Sequence, residues 1–165
     1  MRFELQSRGF FEQDVDSGGF RELMNSSLNA YLRNEAPDAR VTNGLNVELD
    51  GAQAYVSGWV DIQKNVALVA VGQLQIFVDD FSLMQDPNQK GRIKFIDQPK
   101  IRVEGNDLAS KFADIGKLRQ GVVNYLSDPN RAIFDGVKSQ LPQGMEVKTF
   151  GLYLDRGRLG IKIGV

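Results

Sequence analysis

Any chemistry this chain performs must be done without two of the usual side chains. Its 165 residues contain no histidine and no cysteine. That excludes histidine acid–base catalysis, Ser-His-Asp triads, thiolate chemistry, disulfides and most zinc sites. Carboxylates, phenols and cations remain. Asp61 with Lys64, or Tyr55 with Asp61, has the residue types for proton transfer, but that role needs burial and a shifted pKa. Asp79, Asp80 and Asp86 offer hard oxygen ligands. Their spacing is not that of an EF-hand loop, and a strand end entering a loop is the plainer explanation. Gly116 and Gly121 sit inside a helical pattern and form no phosphate-binding loop. No catalytic residue, metal site or cofactor is assigned, and the chain is read as non-enzymatic.

Two binding constellations stand out instead. Arg92, Lys94, Lys100 and Arg102 share one parity of a strand pattern. Each could contact a phosphate or an anionic lipid headgroup, at about 1 kcal/mol near a charged surface. A solvated outer face with edge-protecting cations is the commoner origin of such a pattern. The other constellation is apolar. Met24, Leu28, Leu74, Phe112, Phe134 and Met145 are expected to line a pocket between sheet and helices, with Gly58 and Gly72 leaving room on the inward face. A packed core whose glycines permit a bend is the alternative.

The elements that position these residues follow from periodicity. The stretch Gln53 to Asp80 is the spine. In its second half Val66, Leu68, Ala70, Gly72, Leu74, Ile76 and Val78 share one face of a long strand, because strand side chains alternate. Before the Gln63-Lys64-Asn65 break, Val56, Gly58, Val60 and Ile62 face one way and Tyr55, Ser57, Trp59 and Asp61 the other. Leu45, Val47 and Leu49 alternate in a preceding strand, which Asn43-Gly44 opens as a turn and Asp50-Gly51 closes as a hairpin. Pro99 marks an edge or bulge between Ile93, Phe95 and Ile101, Val103.

Three helices are expected. Asp16 or Ser17 caps the first, over roughly 18–35, with Phe20, Leu23, Met24, Leu28, Tyr31 and Leu32 as its stripe. The second begins near Asn106 or Asp107 and carries Leu108, Phe112, Ile115, Leu118, Val122 and Tyr125. Asp128-Pro129 starts the third, because proline suits a first helical turn. Arg2 to Ser7 reads as a short edge strand, Gly9-Phe10-Phe11 as loop, and Val147 to Val165 as a terminal hairpin. The fold class is α+β: a single domain over 1–165, with a curved antiparallel β-sheet packed against an N-terminal helix and a later helix pair, closing with a C-terminal β-hairpin.

Composition sets the partners. The chain is 42% hydrophobic and 25% charged, with net charge −1, ordinary for a globular protein and without a nucleic-acid signature. No apolar run approaches the roughly 20 residues needed to span a bilayer. The N-terminus has no apolar signal core, so the cytoplasm is expected, or the cell envelope if a targeting segment was removed.

The helix containing Leu28-Asn29-Ala30-Tyr31-Leu32, the strand meander, the paired helices and the segment Leu141-Pro142-Gln143-Gly144-Met145-Glu146-Val147-Lys148 resemble small bacterial envelope proteins related to the tubular lipid-binding superfamily. The resemblance implies a curved sheet around a long helix, a groove for acyl chains, a membrane-associated setting and no catalytic residues. The expected function is binding of an apolar or amphipathic ligand, a lipid, between sheet and helices at a membrane surface. The alternative is a structural or assembly subunit that docks on a protein partner through an apolar face.

Overall fold

The computed structural model describes residues 4–6, 10–35, 39–66, 69–105 and 115–165. The strands are β1 (Glu4–Gln6), β2 (Phe10–Val15), β3 (Ala39–Asp50), β4 (Gln53–Val66), β5 (Val69–Gln85), β6 (Ile93–Asp97), β7 (Ile101–Gly105), β8 (Thr149–Asp155) and β9 (Arg158–Gly164). The helices are α1 (Ser17–Glu35), α2 (Ile115–Leu126) and α3 (Pro129–Lys138). The architecture is α+β with antiparallel strands throughout.

Two sheets form. The meander makes a five-stranded sheet in the order β3-β4-β5-β6, and β7 pairs β5 on the same side as β6. The terminal hairpin β8–β9 joins β2 and β1 in a four-stranded sheet of order β1-β2-β9-β8. Phe10 pairs with Gly164 and Val15 with Leu159, so Phe10-Phe11 belongs to a strand and not to a loop. The residues expected to alternate inward do so: Val56, Val60, Ile62, Leu74, Ile76 and Val78 are buried, and Tyr55 and Trp59 are exposed. Beyond Val78 the parity of β5 switches to Phe81 and Leu83. Between the pairs Val56–Phe81 and Gly58–Val78, β4 has one residue and β5 has Asp79 and Asp80. This bulge turns every later side chain to the other face.

Asn43-Gly44 is not a chain reversal. Both residues lie inside β3 in unbroken pairing with β4. What the dipeptide supplies is a left-handed residue, Asn43 at φ 59°, a conformation asparagine tolerates better than most. Pro99 behaves as expected: it falls between β6 and β7 on the edge of β5, where the Asp79 N–H still donates to the Lys100 carbonyl at 2.9 Å.

Helix α1 is capped by Asp16, whose carboxylate accepts from the Gly19 N–H at 2.9 Å. Loss of such a cap typically costs about 1 kcal/mol. Its stripe Phe20, Leu23, Met24, Leu28 and Leu32 is buried, and each such side chain contributes roughly 1.5–3 kcal/mol. Asp128 caps α3 by accepting from the Arg131 N–H at 3.2 Å, with Pro129 in the first turn. One buried cluster draws on both sheets and all three helices.

Side-chain amides close the outward edges of the sheets. Asn25 of α1 donates to the Leu45 carbonyl and accepts from the Leu45 N–H of edge strand β3, at 2.9 and 2.8 Å. Asn130 of α3 does the same for Ile93 of β6, at 2.8 and 2.9 Å. Gln85 donates to the Leu152 carbonyl and accepts from the Leu154 N–H of β8, joining the two sheets. An edge residue with both main-chain groups occupied no longer offers a template for another strand.

Candidate functional site

The residues expected to line a sheet–helix pocket are divided among the core, the strand pairing and the surface. Met24, Leu28 and Leu74 are fully buried in the common core. Met145 is half-buried and packs against that core. Gly58 has φ 145°, and a Cβ there would lie 2.5 Å from the Gly44 carbonyl oxygen. Its missing side chain is therefore used by the neighbouring backbone of β3. Gly72 lies in β5 opposite Lys64, its surroundings outside the described side chains, and Phe112 lies outside the described residues. Phe134 makes an edge-to-face contact with Phe150, ring centres 5.0 Å apart. It shares a surface cleft of about 260 Å³ with Arg92 and Arg131.

The four cations keep their expected outward parity and are all exposed. They do not act as one charge. Arg102 is paired with Glu104 and lies over the Phe77 ring, 4.5 Å from its centre. Arg92 faces Asp128 at 3.8 Å. Lys94 and Lys100 have no ion pair among the described residues. No described helix is long and apolar enough to cross a membrane.

The carboxylates are similarly dispersed. Asp61 accepts hydrogen bonds from the amides of Asn43 and Gln75, the latter at 2.9 Å. Asp86 accepts from the Asn88 N–H at 2.8 Å in the turn after β5. Asp79 and Asp80 sit in the bulge. Among the described residues no group of three or more acidic side chains is placed to hold a metal ion.

A different site emerges where the three helices meet. Glycines allow the approach: a Cβ at Gly136 would sit 2.6 Å from the Leu23 carbonyl oxygen of α1, and one at Gly121 would strike the Tyr31 hydroxyl. Between the helices lies a cleft of about 390 Å³, with Ala30 and Tyr31 of α1, Tyr125 of α2 and Ala132 of α3 among its walls. Tyr31 and Tyr125 stack, ring centres 5.5 Å apart and 25° from parallel. The Tyr125 hydroxyl donates to buried Ser27. Asn34, Asn124, Arg131 and Asp135 supply polar groups. Such a volume, with apolar walls and a few fixed polar groups, is that of a small-ligand pocket.

Tyr125 is perturbed by this setting. Burial pushes its phenol up to about 12; the bond to Ser27 opposes the shift and the Asp135 carboxylate adds to it. At neutral pH the group is a hydrogen-bond donor and not a base. The linkage has a definite sign. An unfolded chain releases this proton near pH 10, the folded chain only near 12. The Tyr125 contribution to stability is complete below pH 10 and falls as pH rises toward 12. Urea unfolding across that interval is expected to show a decline that Tyr125→Phe reduces; an identical decline in both proteins would contradict the shift.

Periodicity placed Tyr31 and Tyr125 on apolar stripes but did not bring them together. The usable signal was Gly121, whose missing side chain leaves room for the Tyr31 hydroxyl. No protein-family model, curated protein or solved structure matches this chain.

Proposed function

We propose that the protein is a non-enzymatic binding module for a small amphipathic molecule held between α1, α2 and α3, and not between sheet and helices. A lipid is the ligand favoured by the resemblance to tubular lipid-binding proteins. The observation that carries the reading is the inter-helix cleft itself: stacked Tyr31 and Tyr125 offer an apolar floor, and Asn34, Asn124, Arg131 and Asp135 offer polar partners to a head group.

Ala30 gives a direct test, because it is exposed and lines the cleft without belonging to the core. Ala30→Trp is expected to fill the cleft while shifting stability by no more than about 0.5 kcal/mol, as for other surface changes. Native mass spectrometry of the purified chain should show a bound small molecule in the wild type and none in the variant. The same bound species in both proteins would move the site elsewhere. No bound species in either, together with no stabilisation by fatty acids or lysophospholipids, would remove the proposal.

A further inference from the structure

The outer face of the five-stranded sheet carries a second, independent feature. Trp59, the chain's only tryptophan, is 46% exposed, and Tyr55 on the same strand is 45% exposed. Trp59 pairs across the sheet with Phe77, and Phe77 with Arg102. Tryptophan, tyrosine and arginine are the residues that most often anchor protein interfaces, because each combines a large flat surface with a polar handle. Here they lie on one sheet face, with no described helix over Trp59 or Tyr55.

Charge says what would cover them. Beside Tyr55 lies a cleft of about 200 Å³ lined by Asn46, Glu48, Ser57 and Asp80. Glu48 is the cross-strand neighbour of Tyr55, and the β5 bulge brings Asp80 to the opposite wall. The two charged side chains in this lining are both carboxylates. Neither makes an ion pair among the described residues. Arg21 approaches the rim but bonds the Asn46 amide, at 3.3 Å. The Lys100 carbonyl binds the Asp79 N–H. A cation entering the cleft would meet a carboxylate on each side and the edge of an aromatic platform, which attracts cations through the ring face.

We infer that this face docks a protein partner through a segment with alternating basic and apolar side chains: a lysine or arginine enters the cleft between Glu48 and Asp80, and apolar neighbours lie on Trp59. An extended segment suits the site because side chains two apart point the same way.

Trp59 fluorescence reports on the face directly. Titration of the full chain with an acetylated peptide of alternating lysine and leucine is expected to shift its emission saturably. A peptide of alternating glutamate and leucine should not. The double variant Glu48→Gln/Asp80→Asn is expected to weaken the lysine peptide about tenfold, the loss of two partly exposed ion pairs. Glu12→Gln/Asp155→Asn, on the outer face of the other sheet, should leave it unchanged. No response to the lysine peptide overturns the inference. So does equal weakening by both double variants, which would mean diffuse attraction to acidic surface. A response to anionic phospholipid vesicles that exceeds the peptide response would reassign the face to a membrane.

Discussion

Leu28→Ala is expected to lower the unfolding free energy by about 2–5 kcal/mol, the range for removing a large aliphatic side chain from a core that relaxes only partly. Leu28 is 1% exposed and lies midway along the α1 stripe between Met24 and Leu32, both fully buried. The removed methyl groups would leave a cavity that neighbours on α1, tied to β3 by Asn25 and Ser17, have little freedom to close. For a chain of this length the loss corresponds to a fall in melting temperature of roughly 5–15 °C. Urea unfolding and size-exclusion chromatography together check the result. If the stripe instead served assembly, the melting temperature would stay near that of the wild type and an oligomer would be lost. That outcome would contradict a self-contained core.

The second large effect is expected at Gly58. Its φ of 145° is one that side-chain-bearing residues rarely adopt. A Cβ would also lie 2.5 Å from the Gly44 carbonyl oxygen and 3.0 Å from the Leu45 Cα. Both are main-chain atoms of the paired strand and cannot swing aside. The backbone term is about 1–2 kcal/mol and the steric term about 1–3 kcal/mol, so Gly58→Ala should cost about 2–5 kcal/mol. Gly51 provides the comparison. It also has a positive φ, 59°, but nothing lies within 4 Å of its would-be Cβ, so Gly51→Ala should cost only the backbone term. Equal losses for the two variants would mean that β3 and β4 can part at Gly58. The position would then be available to a ligand, as its place on the inward parity first suggested.

The bearing of the structure on binding is mainly one of location. Apolar residues grouped by helical spacing or strand parity, Met24, Leu28 and Leu74, belong to one buried core. Two accessible concavities, one at the junction of the helices and one on the outer face of the five-stranded sheet, are lined by Tyr31, Tyr125 and Tyr55, which pattern alone had given other duties. Half-exposed aromatics with polar tips are suited to such positions, since the ring can be covered while the hydroxyl stays bonded.

The sequence by itself determined the local elements and their inward faces. Alternation over Val56–Ile62 and Leu74–Val78, the three-and-four spacing from Phe20 to Leu32, the Asp16 cap and the Pro129 start reappear in the structure, because each depends on residues a few positions apart; Val66, Leu68, Ala70 and Gly72 lie outside the described side chains. The tertiary structure decided the rest. Pairing of Phe10 with Gly164 made two sheets where one curved sheet was expected. The extra residue at Asp79–Asp80 reversed the later parity of β5. Gly121 and Gly136 set how closely the helices meet and so where the cleft opens. Each of these depends on contact between distant parts of the chain, and hydrophobic period carries no record of which strand or helix lies opposite.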